Sequence, residues 1–222
     1  MPAILIIGAS RGLGLEFVRQ YAAAGWRVLA TVRDLAQGRA VSEAGAEVYI
    51  CDLNDPDSVT RLAAGLGETK LDMVLHSAGI YGERQSFGEV DSAEFMKVLR
   101  IDALAPLKTA EALVDRLEGR KIFAAVSSMM GSMTDNTSGG SYAYRAAKAA
   151  LNMVIKGLAV DLAARGILTV ALSPGWVKTD MGGPNAPLTP SEAVAGMRKV
   201  LDELTAENSG CLMHYDGRRL EW

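Results

Sequence analysis

Tyr144 and Lys148 stand four apart in the run Ser141-Tyr142-Ala143-Tyr144-Arg145-Ala146-Ala147-Lys148. On a helix that spacing stacks the two side chains on one face, one turn from each other. A phenol ordinarily gives up its proton near pH ~10, which makes it a poor acid-base group at neutrality. A neighbouring ammonium favours the phenolate and is expected to bring that value down. A tyrosine tuned in this way can hand a proton to a carbonyl oxygen or take one from an alcohol. Lowering it by two to three units takes roughly 3–4 kcal/mol of differential interaction. The chain holds six tyrosines. One Tyr-x-x-x-Lys therefore arises readily by chance, and the pair acquires meaning only from the elements around it.

Those elements belong to a chain that can build a full core. Of its 222 residues, 49% are hydrophobic and 22% charged, which suits one domain spanning 1–222. The net charge is −3, and no lysine- or arginine-rich block occurs, which argues against nucleic acid or an acidic membrane as a partner. No apolar stretch has the length of a membrane span. The start, residues 1–8, lacks a basic segment and is too short an apolar run for a signal peptide. Cys51 and Cys211 make neither a disulfide framework nor a metal or redox motif. The expected location is a reducing cytoplasm, with no metal.

The apolar run 4–7 reads as a strand buried on both faces. It leads straight into Gly8-Ala9-Ser10-Arg11-Gly12-Leu13-Gly14. A helix with Leu13, Phe17, Val18 and Tyr21 on one face follows and ends at Gly25. A glycine turn between strand and helix lets backbone approach a pyrophosphate, whose charge sits on the helix N-terminus. Residues 26–32 form the second strand. At its tip an acid would bind a free ribose 2′-hydroxyl and a cation a 2′-phosphate. Val32 takes the place of the acid and Arg33 follows it. With Ser10 and Arg11 in the nearby loop, this tip suits a phosphate, so the expected cofactor is NADP, with NAD less favoured. Asp34 reads as the N-cap of the next helix rather than a ribose ligand.

Strands follow at 46–50, 71–75, 121–126 and 167–172, with a short final strand at 211–215. Helices are expected over 57–66, over 91–117 with a bend at Pro106, from 141 to about 165, and over 191–204 with Ser191 as its cap. Asp91 and Glu94 form a capping-box pattern. This alternation gives a doubly wound parallel sheet of about seven strands flanked by helices. Ligands bind such sheets at the carboxyl ends of the strands. Gly8, Asp52, Gly79, Ser128 and Pro174-Gly175 all fall there. Asp52 either bonds an adenine amino group or caps a turn before Pro56. His76, at the end of an apolar strand, reads as a structural residue more readily than as a base. Ser127 and Ser128 would point to opposite faces, and Ser-x-x-Gly favours Ser128. Met129, Met130, Met133, Tyr142, Trp176 and Met181 can line an apolar substrate pocket or serve as ordinary packing.

The glycine loop, Asp52, Ala78-Gly79, Ser128, Tyr144/Lys148 and Pro174-Gly175 occur in the order of the short-chain dehydrogenase/reductase family, which the chain resembles over nearly its whole length. The segments 136–140, 142–145 and 174–183 are similar to the C-factor and sniffer-like carbonyl reductase subgroup. The resemblance implies a single-domain Rossmann fold and a nicotinamide-dependent oxidoreductase that interconverts a carbonyl and an alcohol. It implies Ser128 holding the substrate oxygen, Tyr144 as proton donor or acceptor, and Lys148 on the nicotinamide ribose. It implies cofactor contacts from Gly8, Ser10, Arg11, Gly12, Leu13, Gly14, Arg33, Asp52, Leu53, Ala78, Gly79, Tyr144, Lys148, Pro174, Gly175, Val177 and Thr179, and a short substrate loop near 180–190. A homodimer or homotetramer through the two long helices is also implied. Asp102 stands where the family usually has asparagine, so its charge would alter the proton relay. It keeps open a second reading, an NADP-binding signalling or sensor protein with little turnover.

Overall fold

The computed structural model describes residues 1–222. The order is β1 (Ala3–Ile7), α1 (Gly12–Ala23), β2 (Arg27–Val32), α2 (Arg39–Glu43), β3 (Ala46–Ile50), α3 (Ser58–Gly65), β4 (Leu71–His76), α4 (Ser92–Leu99), α5 (Ala105–Leu113), β5 (Leu117–Val126), α6 (Tyr142–Leu162), β6 (Leu168–Ser173), α7 (Pro190–Asp202), β7 (Cys211–His214) and β8 (Arg219–Leu220). The strands form one sheet in the order β3-β2-β1-β4-β5-β6-β7-β8. All neighbours are parallel except β7 and β8. The antiparallel β8 is an addition to the expected strands.

β1 shows why its sequence is apolar throughout. Ile4 and Ile6 enter the core under α1 and α7, while Leu5 and Ile7 enter the core under α3, α5 and α6. Successive side chains alternate across the sheet, and here both faces are covered. Each fully buried Ile or Leu contributes about 1.5–3 kcal/mol relative to exposure. The strand order reverses at β1, between β2 and β4, which opens a crevice at the carboxyl edge.

Three of the boundaries that differ from the sequence reading have a clear local cause. The helix expected over 91–117 is two helices joined by a π-helical turn at Arg100–Leu104. Asp91 caps it by accepting the Glu94 N–H at 2.8 Å, and Glu94 meets Lys97. β5 begins at Leu117 rather than 121, because Gly119 and Lys121 kink an extended strand with φ of 61° and 51° instead of breaking it. The last helix is capped by Thr189, not Ser191. Pro190 occupies its first turn, and Thr189 and Glu192 form a reciprocal capping box. No helix is long and apolar enough to cross a membrane.

Candidate active site

A cleft runs along the carboxyl edge from the tip of β2 to the first turns of α6. At one end lie Arg33, Asp52 and Leu53, in the middle Gly8, Ser10, Arg11, Gly12, Leu13 and Gly14, and at the far end Ala78, Gly79, Tyr144, Lys148, Pro174 and Thr179. Gly175 and Val177 do not line it. Gly175 turns with φ 77° against Leu188 and Tyr215, and Val177 is buried and bridges to Leu188. These two shape the loop rather than the cleft wall.

The middle of the cleft depends on tight turns. Gly8 has φ 83°, and a Cβ there would lie 2.6 Å from that of Ala78. Its N–H donates to Thr31 Oγ1 at 2.9 Å, and the Ala9 N–H donates to Thr31 O at 2.9 Å. Thr31 thus clamps the loop from β2, a role its place inside an apolar strand did not signal. The first turn of α1 has neither a capping side chain nor an acidic residue. Its free N–H groups border the cleft at Gly12 and Leu13, an arrangement that fits a pyrophosphate. Arg33 is exposed at the β2 tip. Arg11 pairs with Asp180 at 2.8 Å across the cleft. Asp34 caps the turn that follows by accepting the Gln37 N–H. The Asp52 carboxylate accepts from the Asn54 backbone and side chain, which bears out the turn-capping role.

At the far end, α6 places Tyr144 and Lys148 on its buried face, 7% and 4% exposed. The Lys148 ammonium lies 5.5 Å from the Tyr144 ring centre. It donates to Val126 O at 3.1 Å and lies 3.0 Å from Asp102 Oδ2. Asp102 comes from the π-helical turn and is fully buried. Its Oδ1 accepts the Ile80 N–H at 2.8 Å, and its Oδ2 has only the ammonium as partner, without aligned hydrogen-bond geometry. Asp102 therefore brings its charge directly onto Lys148 through its carboxylate.

Burial, reinforced by the Asp102 charge, reverses the expected tuning of the phenol. Burial pushes Tyr144 above the ordinary range, and the pull of Lys148 and a Ser128 hydrogen bond do not offset it, since Asp102 adds its own upward push. Burial alone would lower Lys148, but the Asp102 charge outweighs it and the ammonium is held protonated more firmly than usual. In the free protein Tyr144 is thus a neutral phenol at physiological pH.

The two serines have different surroundings, and it is Ser127, not the favoured Ser128, that lines the cleft. Ser127 is buried and donates to Asn152 Oδ1 at 2.6 Å. Ser128 is half-buried and accepts the Met130 N–H at 3.1 Å. Asn152 continues the stripe of Tyr144 and Lys148 by one more turn, so a polar residue at that spacing was its only signal. His76 is sealed, and burial first, then Lys148, lowers it to about 3. It is a neutral structural ring and not a solvent-linked base. Of the six apolar candidates for the substrate pocket, Met181 lines the cleft. Met129, Met133, Tyr142, Trp176 and Met181 are exposed and Met130 half-buried, which makes them an open rim rather than a closed pocket. No group of three or more His, Cys, Asp or Glu side chains is placed to hold a metal ion.

Comparison with known proteins agrees with this geometry. C-signal from Myxococcus xanthus is 42% identical over 154 residues, covering 68% of this chain and 93% of that protein. The carbonyl reductase Sniffer of Drosophila melanogaster superposes with a TM-score of 0.94 at 31% identity, over 100% of both chains. The NADPH-bound carbonyl reductase from chicken fatty liver superposes with a TM-score of 0.91 at 30% identity, over 100% of this chain and 99% of that one. The profile of the short chain dehydrogenase family matches residues 2–187. With that profile matching most of its length and relatives of this identity covering it, the chain belongs to the short-chain dehydrogenase family of oxidoreductases.

Proposed function

We propose that this protein reduces the carbonyl group of a small or medium-sized apolar aldehyde or ketone with NADPH as reductant. The observation that carries this reading is a buried Tyr144 beside Lys148 at one end of a cleft whose other end presents Arg33. The phenol in its protonated form is the one that carbonyl reduction consumes. NADPH, when bound, would supply the hydride to the carbonyl carbon. Arg33, with Ser10 and Arg11 nearby, suits a 2′-phosphate, and the NADPH-bound carbonyl reductase of the same fold supports that choice.

Each residue's task follows from its donors. Ser128 donates its hydroxyl proton toward the substrate oxygen, where negative charge grows. Tyr144 releases its proton to that oxygen. An ammonium has three N–H donors. Val126 O takes one of those on Lys148 and Asp102 serves as its counter-charge, which leaves a donor for a ribose hydroxyl of the cofactor. Lys148 then holds the cofactor and Tyr144 in one frame, while Asp102 fixes Lys148. Met153 and Val160 on α6, 70% and 66% exposed, are apolar surface that a homodimer or homotetramer through the long helices would cover.

The test is Tyr144→Phe. Reduction of a panel of aldehydes and ketones is expected to fall at least a hundredfold, since the general acid is lost. NADPH binding by fluorescence titration is expected to stay within about twofold. Retention of full activity would remove Tyr144 from its role. A second reading, an NADP-binding signalling protein with little turnover, draws on the C-signal relative and on the Asp102 charge that occupies Lys148. Tight NADPH binding with no reduction across the panel would favour it.

A further inference from the structure

Helix α6 starts without the usual local cap. Ser141, in the N-cap place, lies in the left-handed region with φ 47° and its side chain caps nothing. That conformation is uncommon for a residue other than glycine, asparagine or aspartate, and it persists only where neighbours enforce it. Tyr144 is the third residue of the helix, and its N–H is the donor that an N-cap side chain ordinarily satisfies. Here the acceptor arrives from 59 residues away. Gln85 Oε1 takes the Tyr144 N–H at 2.7 Å, and Gln85 O takes the Tyr142 N–H at 3.3 Å.

The other half of the same amide faces the loop after β4. Gln85 Nε2 donates to Tyr81 O at 2.5 Å and to Gly82 O at 3.2 Å. The Tyr81 ring packs on the Tyr144 ring with centres 4.9 Å apart, and its hydroxyl lies 2.6 Å from Ser141 Oγ. Gln85 itself is 7% exposed. A single buried side chain therefore holds both the start of the helix that carries the phenol and the loop whose aromatic ring covers it.

We propose that Gln85 is a positioning residue for Tyr144: its carboxamide is the remote N-cap of the catalytic helix and locks the Tyr81 loop as one wall of the substrate site. This rests on the carbonyl-reductase reading only for its kinetic consequence. The alignment itself is a property of the free protein. A small displacement of a reacting group is enough to slow chemistry strongly while leaving binding of a remote cofactor intact.

The experiment compares full-length wild type with Gln85→Ala and Gln85→Glu. Amide hydrogen exchange of segment 141–148 is measured alongside NADPH-dependent reduction of 4-nitrobenzaldehyde. Gln85→Ala is expected to exchange at least tenfold faster at the first turn of α6, and to lower kcat about tenfold or more, with NADPH affinity within twofold. Gln85→Glu keeps the volume and the acceptor but loses both donors. It is expected to restore protection of the Tyr144 amide and most of kcat, and to raise KM for the aldehyde through the loosened Tyr81 loop. A merely structural role would lower the melting temperature in both variants without separating kcat from KM. Unchanged exchange in Gln85→Ala overturns the proposal. If that variant does not fold, failure of Gln85→Glu to protect the Tyr144 amide overturns it. Should wild type reduce no carbonyl at all, the exchange result still decides this proposal, and only the functional reading falls.

Discussion

At the α6 end of the cleft, Lys148 and Asp102 pair at 3.0 Å with 4% and 0% of their side chains exposed. At the glycine-loop end, Arg11 and Asp180 pair at 2.8 Å with 72% and 73% exposed. The distances are nearly equal and the physical consequences are not. Two charges in water attract weakly, are screened by salt and reorganise readily. Two charges sealed together have each given up solvation and depend on one another. Burial, not separation, makes the α6 pair a fixed part of the fold and leaves the Arg11 pair free to yield to a bound anion.

The buried pair gives the largest effect by which to break this comparison. Asp102→Ala leaves an uncompensated ammonium in the core and is expected to lower unfolding free energy by about 3–5 kcal/mol, read from denaturant titration. Asp102→Asn keeps the shape and an acceptor for the Ile80 N–H while removing the charge. Since Asp102 pushes Tyr144 upward, its loss should move the Tyr144 limb of the pH profile for alcohol oxidation to lower pH. A limb that stays in place would mean that Asp102 does not act on the phenol.

His76 sharpens the same point without a partner charge to remove. Its folded-state value of about 3 lies below the ordinary 6.5. Above 6.5 the ring is neutral in both states and its full contribution is present. As pH falls below 6.5 the unfolded chain takes up the proton and the folded one does not, so stability is lost until pH nears 3. Between pH 7 and pH 4.5 this amounts to about 2–3 kcal/mol at ~1.4 kcal/mol per unit. His76→Asn should show a correspondingly shallower loss of stability over that interval. Equal slopes in the two proteins would place the acid sensitivity elsewhere.

What the sequence discloses and what it withholds follow from the same distinction. β1, β4 and β6 are apolar on both faces, so their positions and the polar tips beyond them can be read directly. The Thr189 cap was within reach too, because Pro190 marks a first helical position and so points one residue back. Tyr-x-x-x-Lys discloses that two groups are near, but not how dry they are, and dryness reverses the expected shift of the phenol. Asp102 on Lys148 and Gln85 on Tyr144 each join segments that the sheet brings together, and nothing in the local pattern of either residue marks its partner. Gly175 and Val177 lie beside cleft residues in sequence and outside the cleft in space, since the turn at Gly175 sends them against Leu188 and Tyr215.

The exposed pair carries the smallest expected effect. With both side chains largely in water, Asp180→Ala should change unfolding free energy by less than about 1 kcal/mol. Its effect on cofactor choice is more telling. Asp180 and a 2′-phosphate would compete for the same Arg11 guanidinium, so removing the carboxylate should raise NADPH affinity by up to about fivefold, the equivalent of ~1 kcal/mol, and leave NADH affinity where it was. Fluorescence titration with each cofactor at low and high salt reads this directly, and the gain should shrink as salt screens the freed arginine. A loss of affinity for both cofactors would instead assign Asp180 to holding the loop around Thr179, and would leave Arg33 alone to meet the phosphate.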